Sequence, residues 1–174
     1  GGGDIYSDDH VTLSGDGARL DADTAYLGKN SQTIDYNIVA DHFGKKTESL
    51  ITVNGALTDS AKKVFRGTID FKKGSADSVG SENETVLMLG DDVVNKTVPL
   101  ILCAEENVEG THGATIGELD ADTMFYFESR GIDRETAEKI MAYAAVERLI
   151  HMAEDSEFAA EIEEDMGIKT DTEE

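Results

Sequence analysis

Apolar and polar positions alternate along much of the first two thirds of the chain. Between Thr33 and His42 every second side chain is apolar or aromatic up to the final histidine, and a similar alternation returns between Val64 and Phe71. A period of two predicts β-strands with one buried face. Shorter apolar runs lie at 50–53, 86–89 and 98–103. Turn-forming clusters are expected between the runs, at 28–30, 54–55, 74–75, 80–81 and 90–92.

Two architectures fit a series of strands with no helical period among them. One is an antiparallel sandwich of the jelly-roll type, and the other is a parallel β-solenoid. The chain shows no clear internal repeat that would distinguish them, although short polar turns slightly favour the solenoid. Residues 1–17 are polar and contain turn-forming pairs, so we expect the strands to occupy the stretch from there to about residue 117.

The pattern changes from strand to helix at Asp120. This residue stands where an N-cap is expected, and Gly131 stands where a helix commonly ends, so the spacing predicts a helix over 121–130. Asp133 is the expected N-cap of a second helix that continues to about Ala153. We therefore divide the chain into a β region, 1–119, and a helical subdomain, 120–174.

The second helix has a wide apolar surface. One stripe follows the i, i+3, i+4 spacing of an amphipathic helix and contains Ala137, Ile140, Met141, Ala144, Leu149 and Met152. A neighbouring stripe contains Tyr143, Val146, Ile150 and Ala153. The whole is wider than one small contact requires, which leaves room for both internal packing and a partner. A third helix near 156–167 and a frayed acidic tail at 169–174 are expected to follow.

Charge excludes several classes of partner. The chain has 37 acidic and 15 basic residues, a formal net charge of −22 at pH 7. Nucleic acids and anionic membrane surfaces are both bound mainly through Lys and Arg, so neither is an expected partner. The single cysteine, Cys103, rules out an internal disulfide and fits a reducing cytoplasm. No apolar run approaches the ~20 residues of a membrane span.

His112 is the main candidate for chemistry. It lies in a Gly-rich stretch, where an imidazole is an available ligand for iron, although the residues alone favour a histidine that forms a hydrogen bond to a turn or packs. Cys103 is a second possible ligand, although its apolar run favours a small buried side chain. His42 ends an alternating strand on the apolar face and is expected to be a core histidine. Zinc-ligand spacings, nucleotide-binding loops and nucleophile elbows are missing from the sequence, so no enzyme is predicted.

Two sequence motifs resemble a known family. The stretch 112–120, HGATIGELD, followed by FYFESRGI at 125–132, resembles the C-terminal signature of the SufB/SufD scaffolds of iron–sulfur cluster assembly, and is closer to SufD. Weaker marks upstream extend the resemblance over about residues 36–150. They are His42 with Thr47 and Ser49, Val64-Phe65-Arg66-Gly67, Leu87-Met88-Leu89, Thr97 and Pro99.

The resemblance implies a fold and a role. The fold is a right-handed parallel β-helix with a C-terminal helical part, of which this chain would be the C-terminal portion of a longer scaffold. The role is non-enzymatic, and the histidine matching His112 is implicated in building the nascent cluster at a subunit interface. SufB-type members have a cysteine just before the equivalent of Leu87, where this chain has Glu82-Asn83-Glu84. Because a cluster needs about four ligands, this chain would hold one only transiently and together with a partner.

Partners also follow from the resemblance. The family pairs with a like subunit, as a homo- or heterodimer, and its helical part docks SufC, an ABC-type ATPase. The docking residues expected here are Phe125, Tyr126, Arg130, Tyr143, Val146 and Ile150. The alternative is a carbohydrate-binding or polysaccharide-acting β-helix, which needs acidic residues flanked by aromatic ones. With six Phe and five Tyr, several of them in the helical part, the chain gives that alternative little support.

Overall fold

The computed structural model describes residues 3–152 together with 157, 160 and 161. Eight strands precede two helices in this part of the chain. The strands are β1 Ile5–Leu13, β2 Arg19–Gly28, β3 Thr33–His42, β4 Glu48–Leu57, β5 Lys62–Phe71, β6 Ser78–Met88, β7 Val94–Cys103 and β8 Val108–Glu118. The helices are α1 Ala121–Glu128 and α2 Arg134–Met152.

Successive strands alternate between two parallel sheets. The first sheet has the order β1-β3-β5-β7, and the second has the order β2-β4-β6-β8. Every pair of neighbouring strands is parallel; for example, Thr33 lies opposite Lys62 and Glu48 opposite Val79, so one turn takes about 30 residues. The chain is therefore a parallel β-solenoid. This confirms the architecture that the resemblance implies and excludes the antiparallel sandwich.

The core lies between the two sheets. In β3, Ile34, Ile38, Ala40 and His42 are buried while their neighbours are partly exposed, and β5 continues the same alternation. Parallel partners point the same way, so inward-facing side chains of successive turns stack on one another. The period-two pattern thus identified the buried face correctly. Across the turns, the stack comprises Ile34, Ile38, Ile51, Val53, Leu57, Phe65, Ile69, Phe71 and Val86.

Two details of the strand prediction are wrong. Strand β1 lies inside residues 1–17, because its pairing with β3 compensates for a sequence that has polar residues on both faces. The pairs Asn54-Gly55 and Gly80-Ser81 lie within β4 and β6, not in turns. Their glycines face the interior, and a Cβ at Gly55 would lie 2.5 Å from the ring of Tyr26. These glycines provide space for large interior side chains.

Both predicted helix caps are present. The Asp120 carboxylate accepts a hydrogen bond from the backbone N–H of Thr123 (2.7 Å), and Asp133 accepts one from Thr136 (2.8 Å). These bonds lower the pKa of both carboxyl groups. Gly131 has a φ of +77°, and the N–H of Ile132 donates to the Phe127 carbonyl (3.1 Å), as in a Schellman motif. The helix boundaries therefore follow from local sequence.

Helix α2 packs on the outer face of the second sheet. Its buried residues Ala142, Val146 and Ile150 contact Ala56 and Leu89 of the solenoid. The stripe through Val146 and Ile150 therefore makes the contact with the solenoid; of the other stripe Ala137 is buried, while Ile140 and Met152 remain exposed. The helical period alone could not show which stripe is buried, because both stripes have helical spacing.

The remaining expectations concern the chain's end and its division. The third helix and the acidic tail predicted beyond residue 155 lie outside the described residues, apart from helical Glu157, Ala160 and Glu161. The division into 1–119 and 120–174 stays a prediction. Among the residues described, no helix is both long and apolar enough to cross a membrane.

Candidate functional site

The last turn of the solenoid is uncovered. Strands β7 and β8 are edge strands of their sheets within the described residues, as β1 and β2 are at the other end, and we call the turn of β7 and β8 the open end. Its inward-facing positions continue the stacks of the preceding turns, but no described turn covers them. Ile116 stacks on buried Val86 and is nevertheless 57% exposed. The outer face of β7 adds three exposed apolar residues, Val98, Leu100 and Leu102.

His112 lies at this open end, in β8. Its partner in the register is Glu82 of β6, whose side chain is buried, so His112 takes an inward-facing position on the last turn. The residue is exposed because β8 is an edge strand. The structure therefore puts the main candidate ligand at an accessible place directly above the solenoid interior.

A buried polar cluster lies beneath the open end. It consists of Lys63 from β5, Glu82 and Glu84 from β6, and Thr97 from β7. Lys63 forms an ion pair with Glu84 inside the solenoid, and both side chains are almost completely buried. The Lys63 Nζ also donates to the Thr97 Oγ1 (3.3 Å), and the Thr97 hydroxyl donates to Glu84. Burial lowers the pKa of Lys63, and the Glu84 carboxylate opposes that shift.

Glu82 is the least satisfied member of the buried polar cluster. Its residue exposure is 1%, and its Oε2 atom has no hydrogen-bond partner among the described residues. The carboxyl group occupies space beside Gly67 that a Cβ at Gly67 would fill. Burial, followed by the nearby Glu84 charge, raises the pKa of Glu82 to about 7, while Lys63 lowers it. The cluster therefore contains one carboxyl group that is poised between its two protonation states at neutral pH.

Sequence reasoning missed the buried polar cluster. Lys63 occurs two positions before Phe65 and therefore continues the inward-facing period, and Glu82 and Glu84 stand four and two positions, respectively, before buried Val86. That spacing was the available signal. Lys and Glu side chains are usually exposed, and that general rule fails when charges pair across the interior.

Two further buried polar groups line the interior. The Tyr26 hydroxyl and the side-chain amide of Asn95 have no hydrogen-bond partner among the described residues. Asn95 is the in-register neighbour of Lys63, and the Lys63 Nζ lies 5.7 Å from the centre of the Tyr26 ring. Burial raises the pKa of the Tyr26 hydroxyl well above its usual range. The interior is thus locally polar from Tyr26 to the open end.

His42 is a buried core residue, as predicted. Its Nδ1 is 2.7 Å from the Thr47 Oγ1 and its Nε2 is 2.8 Å from the Ser49 Oγ. Burial lowers the pKa of its imidazole, which favours the neutral ring. Since both ring nitrogens are engaged, His42 is not available as a ligand. The three residues that mark the family resemblance here are brought together as one hydrogen-bonded group.

Cys103 is exposed, and the expectation of a buried side chain is wrong. It pairs with fully buried Phe71 and so has an inward-facing position, but it lies at the end of the edge strand β7. An apolar run is a poor predictor of burial on a turn that has no covering neighbour.

The helical residues expected to dock a partner fall into two groups. Phe125 and Tyr126 of α1 are 72% and 53% exposed, and the Arg130 guanidinium lies 4.3 Å from the centre of the Tyr126 ring. Tyr143 is partly buried, whereas Val146 and Ile150 are buried against the solenoid. The second group therefore anchors α2 within the chain and does not form a free surface.

The donor set is incomplete for a metal or cluster. Over residues 3–152 and the three helical positions beyond, no group of three His, Cys, Asp or Glu side chains is placed to hold a metal ion. An iron–sulfur cluster needs about four ligands, most often thiolates. His112 is accessible but stands without a neighbouring thiolate on its strand. Any cluster bound here would need donors from outside the described residues.

Together these features define a parallel β-solenoid protein with an exposed histidine on its last turn and a helical part that follows. The family model for the SufBD core domain, described as SUF system FeS cluster assembly, matches residues 1–145. The chain belongs to this family.

Three relatives show the extent of the likeness. The iron-sulfur cluster assembly protein SufD of Bacillus subtilis (strain 168) is 33% identical over 141 residues, which cover 81% of this chain and 32% of that protein. SufD of Escherichia coli (strain K12) is 23% identical over 155 residues, 89% of this chain and 37% of that protein. A chloroplastic SufBD family protein of Arabidopsis thaliana is 27% identical over 159 residues, which cover 91% of this chain and 28% of that protein. The chain thus spans about a third of the length of these relatives.

Proposed function

We propose that this chain acts in iron–sulfur cluster assembly as a non-enzymatic scaffold subunit of the SUF system. The observation that carries the proposal is the match of the SufBD core over residues 1–145, together with an accessible His112 on an uncovered last turn. The scaffold would act in the cytoplasm, which fits a single unpaired cysteine. The carbohydrate-binding alternative has no comparable support.

In this proposal His112 is an iron ligand for a transient cluster. The neutral imidazole binds iron readily, and its exposed position lets the assembling cluster approach. The cluster is cargo that is shared with a partner subunit, because the chain contributes one histidine and no adjacent thiolate. His112 thus supplies one of about four ligands.

The open end is the proposed site of pairing with a like subunit. Edge strands leave backbone N–H and C=O groups unpaired, and a second edge can complete them. The exposed apolar residues Val98, Leu100 and Leu102 on β7 would be buried at the same time. The pairing would place the partner's donors near His112. Both a homodimer and a heterodimer with a SufB-like or SufD-like subunit fit this geometry.

The helical part is the proposed docking site of a SufC-like ABC ATPase. Exposed Phe125 and Tyr126, with Arg130 stacked on the Tyr126 ring, form an aromatic and cationic surface of the kind enriched at interfaces. Tyr143, Val146 and Ile150 contribute indirectly, because they anchor α2 on the solenoid.

The ligand role is tested in the assembled complex. Anaerobic reconstitution with iron, sulfide and the partner proteins is followed by visible absorption, using the unaltered chain and His112→Ala. We expect His112→Ala to abolish cluster build-up while folding and ATPase binding persist. His10→Ala, at an exposed histidine of the first turn, is the matched control and should leave cluster build-up unchanged. Normal cluster formation by His112→Ala would refute the ligand role.

The two interfaces are tested separately. Leu100→Asp should shift the chain from dimer to monomer in light scattering, whereas Val79→Asp, at an exposed apolar position of the second sheet, should not. A chain that is monomeric at high micromolar concentration, with or without a SufB-like partner, would contradict the pairing. Tyr126→Asp should abolish ATPase binding in a pull-down, and Tyr6→Asp, at a tyrosine that is 71% exposed, should retain it.

A further inference from the structure

The carboxyl group of Glu82 is an interior group that the fold does not explain. Its neighbour Glu84 is satisfied by Lys63 and Thr97, whereas the Glu82 Oε2 atom has no partner among the described residues, at 1% residue exposure. A buried polar atom without a partner destabilises the fold, and such atoms are explained by strain, by a chemical role, or by a bound water or ion. A bound cation is one such explanation for Glu82.

The position of Glu82 relates it directly to His112. The two residues are in-register partners on neighbouring strands, which lie about 4.8 Å apart. Both are inward-facing, so their side chains leave the second sheet in the same direction on consecutive turns. The Glu82 carboxylate fills the space beside Gly67, one turn below the open end. The buried carboxylate therefore lies one turn beneath the exposed imidazole.

The charges around Glu82 favour a cation. Lys63 is paired with Glu84, so this ion pair has no net charge, and ionised Glu82 leaves the buried polar cluster with one negative charge. The charged groups that affect the pKa of Glu82 are again Glu84, which raises it, and Lys63, which lowers it. An anion would meet two carboxylates here. Carboxylate oxygen and imidazole nitrogen are both common ligands of divalent first-row metals.

We propose that Glu82 and His112 together form a binding site for ferrous iron, in which two ligands come from consecutive turns of the solenoid. This inference rests on the proposed function and deepens it: the open end would hold iron before sulfide or a partner's thiolate completes the cluster. The remaining coordination positions would be water or donors from the paired chain, since the described residues offer no third ligand.

The test uses Co²⁺ as a spectroscopic probe for Fe²⁺ in the full chain. Anaerobic titration is followed by the visible absorption of protein-bound Co²⁺. Because even outer-shell partners of metal ligands contribute 10–100-fold to affinity, we expect Glu82→Gln to raise the Co²⁺ Kd at least about tenfold. Glu109→Gln is the matched control, because Glu109 is an exposed, outward-facing acid on β8, and it should change the Kd less than twofold.

A second measurement needs no variant. Co²⁺ bound between Glu82 and His112 would lie close to Gly67, across the interior, and should shift or broaden its backbone amide resonance in the ¹⁵N-labelled chain at one equivalent. This result keeps the inference testable even if Glu82→Gln fails to fold. An unaffected Gly67 resonance would overturn it. Equal weakening by Glu82→Gln and Glu109→Gln would also overturn it, as it would show diffuse binding to an acidic surface.

The two proposals fail in different ways. If His112→Ala loses both Co²⁺ binding and cluster assembly while Glu82→Gln binds Co²⁺ like the unaltered chain, Glu82 is not a ligand and the role of His112 stands. If His112→Ala assembles clusters normally, the proposed role of His112 fails, whatever Glu82 does.

Discussion

The middle turns and the last turn of the solenoid have the same strand register but opposite environments. Phe65 in the middle of the first sheet is completely buried, whereas Ile116 on the last turn is 57% exposed although its side chain also faces inward. The difference is the presence of a covering turn. Burial in a solenoid is therefore a property of neighbouring turns and not of a strand alone.

The middle turns and the last turn therefore contribute differently to the protein. The middle turns bury large apolar side chains on each other, which stabilises the fold. The last turn leaves His112, Cys103 and the apolar face of β7 exposed, where other molecules can reach them. The buried polar cluster lies at the junction of the two regions.

The largest expected effect is the loss of an interior aromatic side chain. Phe65→Ala should lower the free energy of unfolding by about 3–5 kcal/mol, because it leaves a cavity between fully buried neighbours. Leu100→Ala, on the exposed face of the last turn, should change it by about 0.5 kcal/mol. Urea unfolding followed by far-UV circular dichroism, at a concentration where the chain is monomeric, measures both. Equal effects would show that the last turn is as well packed as the middle.

The buried ion pair gives the next prediction. Lys63→Met leaves the Glu84 carboxylate buried without its cation and should destabilise the chain by about 3–5 kcal/mol. In the double variant Lys63→Met with Glu84→Gln, both charges are gone, and much of that loss should be recovered. The same urea experiment compares them. If the double variant is as unstable as the single one, the pair is not an isolated unit and the polar interior is more strongly coupled than its contacts indicate.

Glu82 predicts an unusual pH dependence of stability. Its folded pKa of about 7 is above the ordinary value of 4.5, so folding favours the protonated form. The stabilisation is complete below about pH 4.5 and is lost as the pH rises to about 7; above that, ionised Glu82 destabilises the fold by on the order of 3 kcal/mol. With chelator present, Glu82→Gln should remove this dependence and be the more stable protein at pH 8. Parallel pH profiles of the two proteins would contradict the assignment.

The smallest effects distinguish the two histidines. His42→Ala removes the two buried hydrogen bonds of the imidazole to Thr47 and Ser49. It should lower the free energy of unfolding by roughly 1–3 kcal/mol, because the two hydroxyl groups each lose a partner. His112→Ala, on the exposed edge strand, should cost only about 0.5 kcal/mol. Thermal melts of both variants are compared with their cluster assembly. A large loss of stability in His112→Ala would indicate a packed histidine and would count against a ligand.

Local features of this protein could be predicted from its amino-acid sequence. Asp120, Asp133 and Gly131 identified the helix ends correctly, because caps depend on backbone groups within a few residues. The alternation in β3 and β5 identified the buried faces, because the side chains of a strand point to opposite sides at every step. The HGAT and SRG motifs indicated the SufBD family, which the match over residues 1–145 then confirmed.

Features that depend on which distant residues become neighbours could be seen only in the folded chain. A period of two is the same in parallel and antiparallel sheets, so the strand order was needed to show the solenoid. Lys63 and Glu84 are 21 positions apart, and only the crossing of the interior pairs them. The exposure of Cys103 and the choice of the Val146–Ile150 stripe likewise depend on whether another turn or sheet covers that face. Burial and pairing are long-range properties, because they arise when distant segments exclude water from one another.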